Sequence, residues 1–439
     1  MRNLVGDQLR VELMARTILS LAVLLSLWLP APQAMAEFQP ASWLLAGAAS
    51  ASISPPTGTY LAGYDRDRPS TGVHDDLFVK AVVLSKDSES LAIVVIDCIG
   101  LAHEDIQRIR ALAVQRIGDV ALAPERIIVT STHTHSGPDV TGLWGSYFFI
   151  SGRDEAYVDT LINTAADVIA EAAGRLEPAG IRMAMQPSQI AWVENVSEPG
   201  LLDPTLSVLE IVRRDEAEST IATLTNFACH PTVLGGDNPL VSADFLGGFY
   251  QSMAARSTGE HLFLQGAIGG WVQPVQAERT FDLAAAYGDE LAGAVLSMLE
   301  GTTADWFADL RFAQQSLTLP LDNFAFQMLL FFGVLERQIE DGNFTSEIAW
   351  FSIGEAQFAT HPGETSPAYS LATRELMPDA SVTFVLGLGL DALGYILKPE
   401  YFSEPERFPN GEYLTSVSIG PETGPILMTA LEKLVAENR

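Results

Sequence analysis

The sequence predicts an α/β fold: mixed β-sheets flanked by helices in a single large domain. Short apolar runs of strand length alternate along the chain with longer runs of helical spacing. Strand follows strand directly at 77–99 and again near 205–228, which implies a mixed sheet or two sheets. No Pro/Gly/Ser-rich linker divides the stretch from about residue 40 to 439. With 48% hydrophobic and 18% charged residues, the chain has enough apolar material for a large core.

The first 36 residues read as a signal peptide outside this fold. Arg16 precedes an apolar run from Ile18 to Leu29 that is short for a membrane span, and Ala34-Met35-Ala36 is an A-x-A cleavage pattern. Met14 would start a more compact signal, and cleavage would leave Glu37 first. The expected location is therefore periplasmic or secreted. The domain proper is 37–439.

Leu45–Ile53 leads into a Pro/Gly loop ending Gly63-Tyr64, followed by Gly72-Val73-His74-Asp75. Strands are expected at 77–84 and 91–99, then a helix at 103–117 and a strand at 125–131. A long helix at 154–175 precedes strands near 179–186, 205–213 and 220–228. Ser242 is the expected N-cap of a helix reaching about Ala255. A strand at 261–265 runs into a glycine loop, Gly266-Ala267-Ile268-Gly269-Gly270, whose N–H groups suit an oxyanion. A helix at 282–299 and a strand at 309–320 follow. The apolar run 324–338 reads as a helix, in the core or walling an acyl-chain channel. Then come a strand at 348–359, a short helix at 366–376, a strand at 381–388 and a closing helix at 422–438.

A net charge of −30 disfavours nucleic acid and electrostatic docking on anionic lipid, leaving at most peripheral membrane contact. The two cysteines, Cys98 and Cys229, sit in apolar strands and read as buried thiols, not a disulfide framework. Oligomeric state is not legible.

The chemistry concentrates at strand ends. Thr132-His133-Thr134-His135-Ser136-Gly137-Pro138 follows an apolar strand, and Asn226-Phe227-Ala228-Cys229-His230-Pro231-Thr232 ends another. Were the extended backbone to continue through the first pair, its two-residue period would point both imidazoles the same way, as metal ligands need. The other reading is a polar strand end whose histidines cap nearby carbonyls. The aromatic stretch Leu143–Ile150 is unusual for a loop and reads as core packing or as an apolar lip beside the histidines. His103 and His261 read as surface or capping residues, and His361 as structural beside Pro362. His74, Asp97 and Asp244 stay open between site and scaffold.

Taken together with Ser242-Ala243-Asp244-Phe245, Gln265 to Gly270 and His361-Pro362-Gly363-Glu364-Thr365, these loops resemble the neutral (non-lysosomal) ceramidase family, in family order. The resemblance implies a zinc-dependent amide hydrolase that splits an N-acyl amide such as ceramide into fatty acid and sphingoid base by a zinc-activated water. It implies Zn²⁺ ligands His133, His230, Glu364 and Tyr395, with His135 beside the metal and Tyr413 a further active-site residue. Gly270 and its neighbours would supply oxyanion donors, and Trp144, Tyr147 and Phe148 an acyl wall. The partner is a small-molecule or lipid amide. Two positions depart from the family. Gln273 stands where it has a serine, and Glu194-Asn195-Val196-Ser197 where it has an arginine-bearing segment. The alternatives are a different substrate within the family and a non-catalytic relative that keeps the fold. No C-terminal immunoglobulin-like domain is expected within the chain.

Overall fold

A computed structural model describes residues 42–215, 218–275 and 278–438. The expected signal peptide, 1–36, lies outside them. The main sheet has eight strands in the order Glu260–Gln265, Thr220–Phe227, Thr205–Arg213, Glu177–Pro187, Leu44–Ser52, Phe78–Lys86, Glu89–Ile96, Ile127–Ser131. Most neighbours are antiparallel; the strands at both edges pair parallel to their neighbours. A second sheet orders Leu310–Pro320, Asn343–Ile353, Ala356–Thr360 and Val382–Leu386.

Strand alternation stacks these sheets. Val79, Ala81 and Val83 face a core shared with helices His103–Arg116, Glu155–Gly174, Phe245–Arg256 and Phe281–Leu299. Val82 and Leu84, on the opposite face, pack with Phe351, Phe358 and Phe384 of the second sheet. That sheet's outer face, with Leu317, Phe344 and Trp350, is covered by helix Thr423–Asn438 through Leu427, Leu431 and Leu434. The result is four layers: helices, sheet, sheet, helix.

The main sheet curls. Its edge strands, Glu260–Gln265 and Ile127–Ser131, bring Cα atoms within 8 Å of each other. Residues 387–389 bridge the gap: Gly387 N–H donates to Gln265 O, Thr130 Oγ1 donates to Gly387 O, and Thr130 bridges Gly389. The ends of the two histidine-bearing strands are thereby brought together.

Three expectations are corrected. The run 348–359 is not one strand but two, because Gly354 takes a left-handed φ of 58° and turns the chain between Ile353 and Ala356. The 324–338 helix stops at Phe331: Gly333 (φ 67°) donates to Leu330 O while Val334 N–H reaches back to Leu329 O, a glycine-capped stop. Asp244, not Ser242, caps the helix beginning at Phe245. Ser242 Oγ instead donates to Asp75 and accepts from Asp244 N–H.

Cys98 and Cys229 are free and buried, as expected. His261 is buried, 2% exposed, so its surface reading fails. No helix among the described residues is long and apolar enough to cross a membrane.

Candidate active site

The strand carrying the histidine pair ends at Ser131, and His133 adopts a left-handed φ of 68°. The two rings therefore do not converge by strand period. They converge because the backbone turns, at a conformation costly for a residue with a Cβ. Their centroids lie 4.9 Å apart, and that of His230 lies 5.0 Å from His133 and 5.5 Å from His135. One nitrogen from each of the three rings lies within 4.8 Å of the others.

Hydrogen bonds fix the tautomers of two of these rings. His133 Nδ1 is 2.5 Å from Ile99 O, and His230 Nδ1 is 2.7 Å from Val272 O. A carbonyl only accepts, so each Nδ1 carries the proton and each neutral ring turns a bare Nε2 inward. Both Nε2 atoms face the same oxygen, Glu364 Oε2, at 3.4 and 3.1 Å. With both rings neutral, three lone-pair-bearing atoms meet there with no proton between them, an arrangement that suits a cation. His135 has both ring nitrogens buried and unpartnered. Burial, then His133 and His230, push its pKa well down, so it stays neutral. The donor set fits a divalent ion of zinc type.

Glu364 pairs with Tyr395 between two short parallel strands, and the phenol donates to the carboxylate while accepting from Trp271. Burial and then Glu364 raise the Tyr395 pKa well above its usual value. Tyr413, 48% exposed, lies 5.5 Å from Trp271 and lines the same cavity. The structure thus gathers His133, His135, His230, Glu364, Tyr395 and Tyr413 around one place.

Gly270 is not gathered there. Its α-carbon faces Asn195 and Tyr401. Gly266 and Gly269 have spent their N–H groups on Phe227 O and Thr365 O. A Cβ on Gly269 would strike Glu364 O at 2.4 Å. The glycines let this loop press against the backbone that carries Glu364. Gln273 does not line the cavity either; among the described residues its amide donates to Glu194 Oε1 at 3.4 Å.

Gln265 was not legible as a site residue. Its Nε2 donates to Thr132 O and Cys229 O, and its Oε1 accepts from Cys229 N–H and Gly266 N–H. One buried amide thus ties together the two loops that carry His133 and His230. Asp244 steadies the second loop by accepting from Val233 and Leu234 N–H. Asp97 instead accepts from Phe78 N–H and Tyr250 Oη, and His74 pairs with Asp75 and stacks on Phe281. His361 is held between Thr365 and Thr373, a structural place.

The cavity encloses about 980 Å³ of non-atom space, mouth included. Leu143 and Trp144 form one wall and Phe326 and Leu335 another. Tyr147 and Phe148 lie outside it, 72% and 40% exposed. Arg153, Glu336 and Arg337 also line it. The segment replacing the family's arginine carries none into the site. Instead Arg66, which acts electrostatically on Tyr413, lies over the Phe148 ring at 4.8 Å.

Residues 45–262 match the family described as neutral/alkaline non-lysosomal ceramidase, N-terminal. These residues belong to this ceramidase family. The fold is similar to the crystal structure of neutral ceramidase from Pseudomonas aeruginosa, with a TM-score of 0.72 at 17% identity over 90% of this chain and 74% of that one. It is similar also to a ceramidase complexed with C2, with a TM-score of 0.71 at 17% identity over 90% and 75%. No curated protein matches the chain. The mixed α/β architecture expected from sequence is therefore that of the ceramidases.

Proposed function

We propose that this ceramidase-family chain is a zinc-dependent hydrolase of N-acyl amides, splitting a ceramide-like lipid into a fatty acid and an amine base. The observation that carries this reading is the meeting of His133 Nε2, His230 Nε2 and Glu364 Oε2 beside an apolar cavity. His133, His230 and Glu364 would hold the ion, with Tyr395 alongside. A Zn²⁺ ion there supplies Lewis acidity and lowers the pKa of water to ~7.

The chain's own groups do the rest. Neutral His135 has one ring N–H to donate to the carbonyl oxygen as that oxygen gains charge. Tyr413 keeps its proton, since burial and then Glu364 raise its pKa, and it offers a hydrogen bond to the carbonyl oxygen. Leu143, Trp144, Phe326 and Leu335 exclude water and receive the acyl chain. Arg153, Glu336 and Arg337 favour a second reading, an amide substrate with a polar group on the part that enters the cavity. The same proposal includes export after cleavage before Glu37, which N-terminal sequencing of the exported protein reads directly.

The test is incubation of purified protein with a panel of N-acyl amides, ceramide among them. Turnover is expected, abolished by chelator and restored by zinc. His133→Ala and His230→Ala are expected to lose both metal and activity. A fully zinc-loaded protein that turns over nothing in the panel would remove the hydrolase reading.

A further inference from the structure

The two segments that wall the cavity each turn a second, apolar face to solvent. Tyr147, Phe149 and Ile150 of the loop are 72%, 49% and 49% exposed. On the helix segment Phe324, Phe331 and Phe332 are 75%, 80% and 48% exposed. Phe149 and Phe332 pack at a tilt of 49° with centroids 4.3 Å apart, which joins the two sets into one patch. Phe324 and Phe331 stand seven residues apart, two helical turns, so both project from the same side. Phe326 and Leu329 point inward and are buried. Gln327, exposed between Phe324 and Phe331, is the one polar residue of this helix, so its outer face is largely apolar. Clustered exposed aromatics beside a cavity of the same character mark a surface that meets another apolar phase.

We propose that this patch docks the protein on the surface of an uncharged, zwitterionic lipid bilayer, so that a lipid amide passes from the bilayer along apolar walls into the cavity. The destination of the lipid rests on the amide-hydrolase reading; the docking itself does not. Continuity points to lipid: Leu143 and Trp144 line the cavity a few residues before Tyr147–Ile150, and Phe326 does so between Phe324 and Phe331. Charge selects the kind of lipid. A chain of net charge −30 is repelled by an anionic surface. Arg66, laid over Phe148, supplies one cation at the patch for a phosphate of a zwitterionic headgroup.

The experiment is co-sedimentation of the full chain with phosphatidylcholine vesicles. Binding is expected, little changed by salt, and weakened at least about tenfold in F149S/F331S, since each ring removed takes apolar area out of the contact. No binding by the wild-type chain, or equal binding by the variant, overturns the proposal. Phe331→Trp gives a second reading that does not depend on how the double variant folds: its emission should shift to shorter wavelength when the vesicles are added, and an unchanged spectrum overturns the proposal. Tighter binding to phosphatidylglycerol vesicles than to phosphatidylcholine would overturn the assignment to an uncharged surface. A self-association that F149S/F331S abolishes, without vesicle binding, would assign the face to a second copy and also overturn it. None of these readouts needs turnover. Hydrolysis of a water-soluble short-chain amide without vesicles tests the amidase reading separately.

Discussion

Gly63 sets the place of His135. A Cβ at Gly63 would lie 2.3 Å from His135 Cγ, and its φ of 92° is open only to glycine at low cost. Gly63→Ala should therefore displace the ring and lower turnover in the same direction as His135→Ala. His135→Ala should cost about 10²–10³ in kcat, as expected for a hydrogen-bond donor beside a developing charge. Zinc content should stay full in His135→Ala if the ring stands beside the metal; loss of zinc would make it a ligand. In the double variant the two losses should not add, because both act through one ring; additive losses would separate Gly63 from His135. Gln273 gives the opposite expectation. Its amide donates to Glu194, outside the cavity, so Gln273→Ala should cost less than about tenfold in turnover, or ~1.4 kcal/mol of barrier. A severe loss in steady-state kinetics would mean that this position takes part in the reaction.

At the scale of elements, the site is as good as the hold on two loops. Gln265 provides that hold with both ends of its amide. Gln265→Met preserves volume and removes every one of these bonds. Zinc affinity should fall by about 10–100-fold, the usual effect of losing a group that orients ligands. Competition with a calibrated chelator measures it, and an unchanged affinity would show that the curled sheet alone positions the loops. The sequence could not show this residue, since one glutamine at a strand end has no pattern around it. Other elements were legible. The helix expected at 103–117 is His103–Arg116, and that expected at 154–175 is Glu155–Gly174, because long periodic runs with charged outer faces leave little choice. Single glycines defeated the pattern elsewhere: Gly354 and Gly333 sit inside continuous apolar runs, and a left-handed turn at one residue leaves no trace in hydrophobic period. The convergence of His133, His230 and Glu364 was legible only through the family resemblance, since 231 positions separate His133 from Glu364 in the chain.

Across the whole molecule, buried neutral histidines tie stability to acidity. Burial, with Arg374 nearby, pushes the pKa of His361 from 6.5 down to about 3, against the pull of Asp203. Between these values the unfolded chain holds a proton that the folded chain does not. The contribution of His361 is therefore complete above pH 6.5 and is lost as pH falls toward about 3. His361→Gln should be less stable than wild type near neutrality, having disturbed the Thr365 and Thr373 contacts, yet lose less of its stability on acidification. Urea melts from about pH 7 to about pH 4 test this; parallel profiles would show that His361 does not titrate with folding.

The curl of the main sheet has a consequence for how the protein is made. His230 follows the second strand in the sheet order and His133 the eighth, which in a flat sheet would stand roughly 29 Å apart. Their rings are 5.0 Å apart. The meeting of His133, His230 and Glu364 therefore exists only after the sheet has closed. An ion held there would be captured last and would act as a clasp. It would add little to the speed of folding and much to the lifetime of the folded state, because opening the sheet would first have to release it.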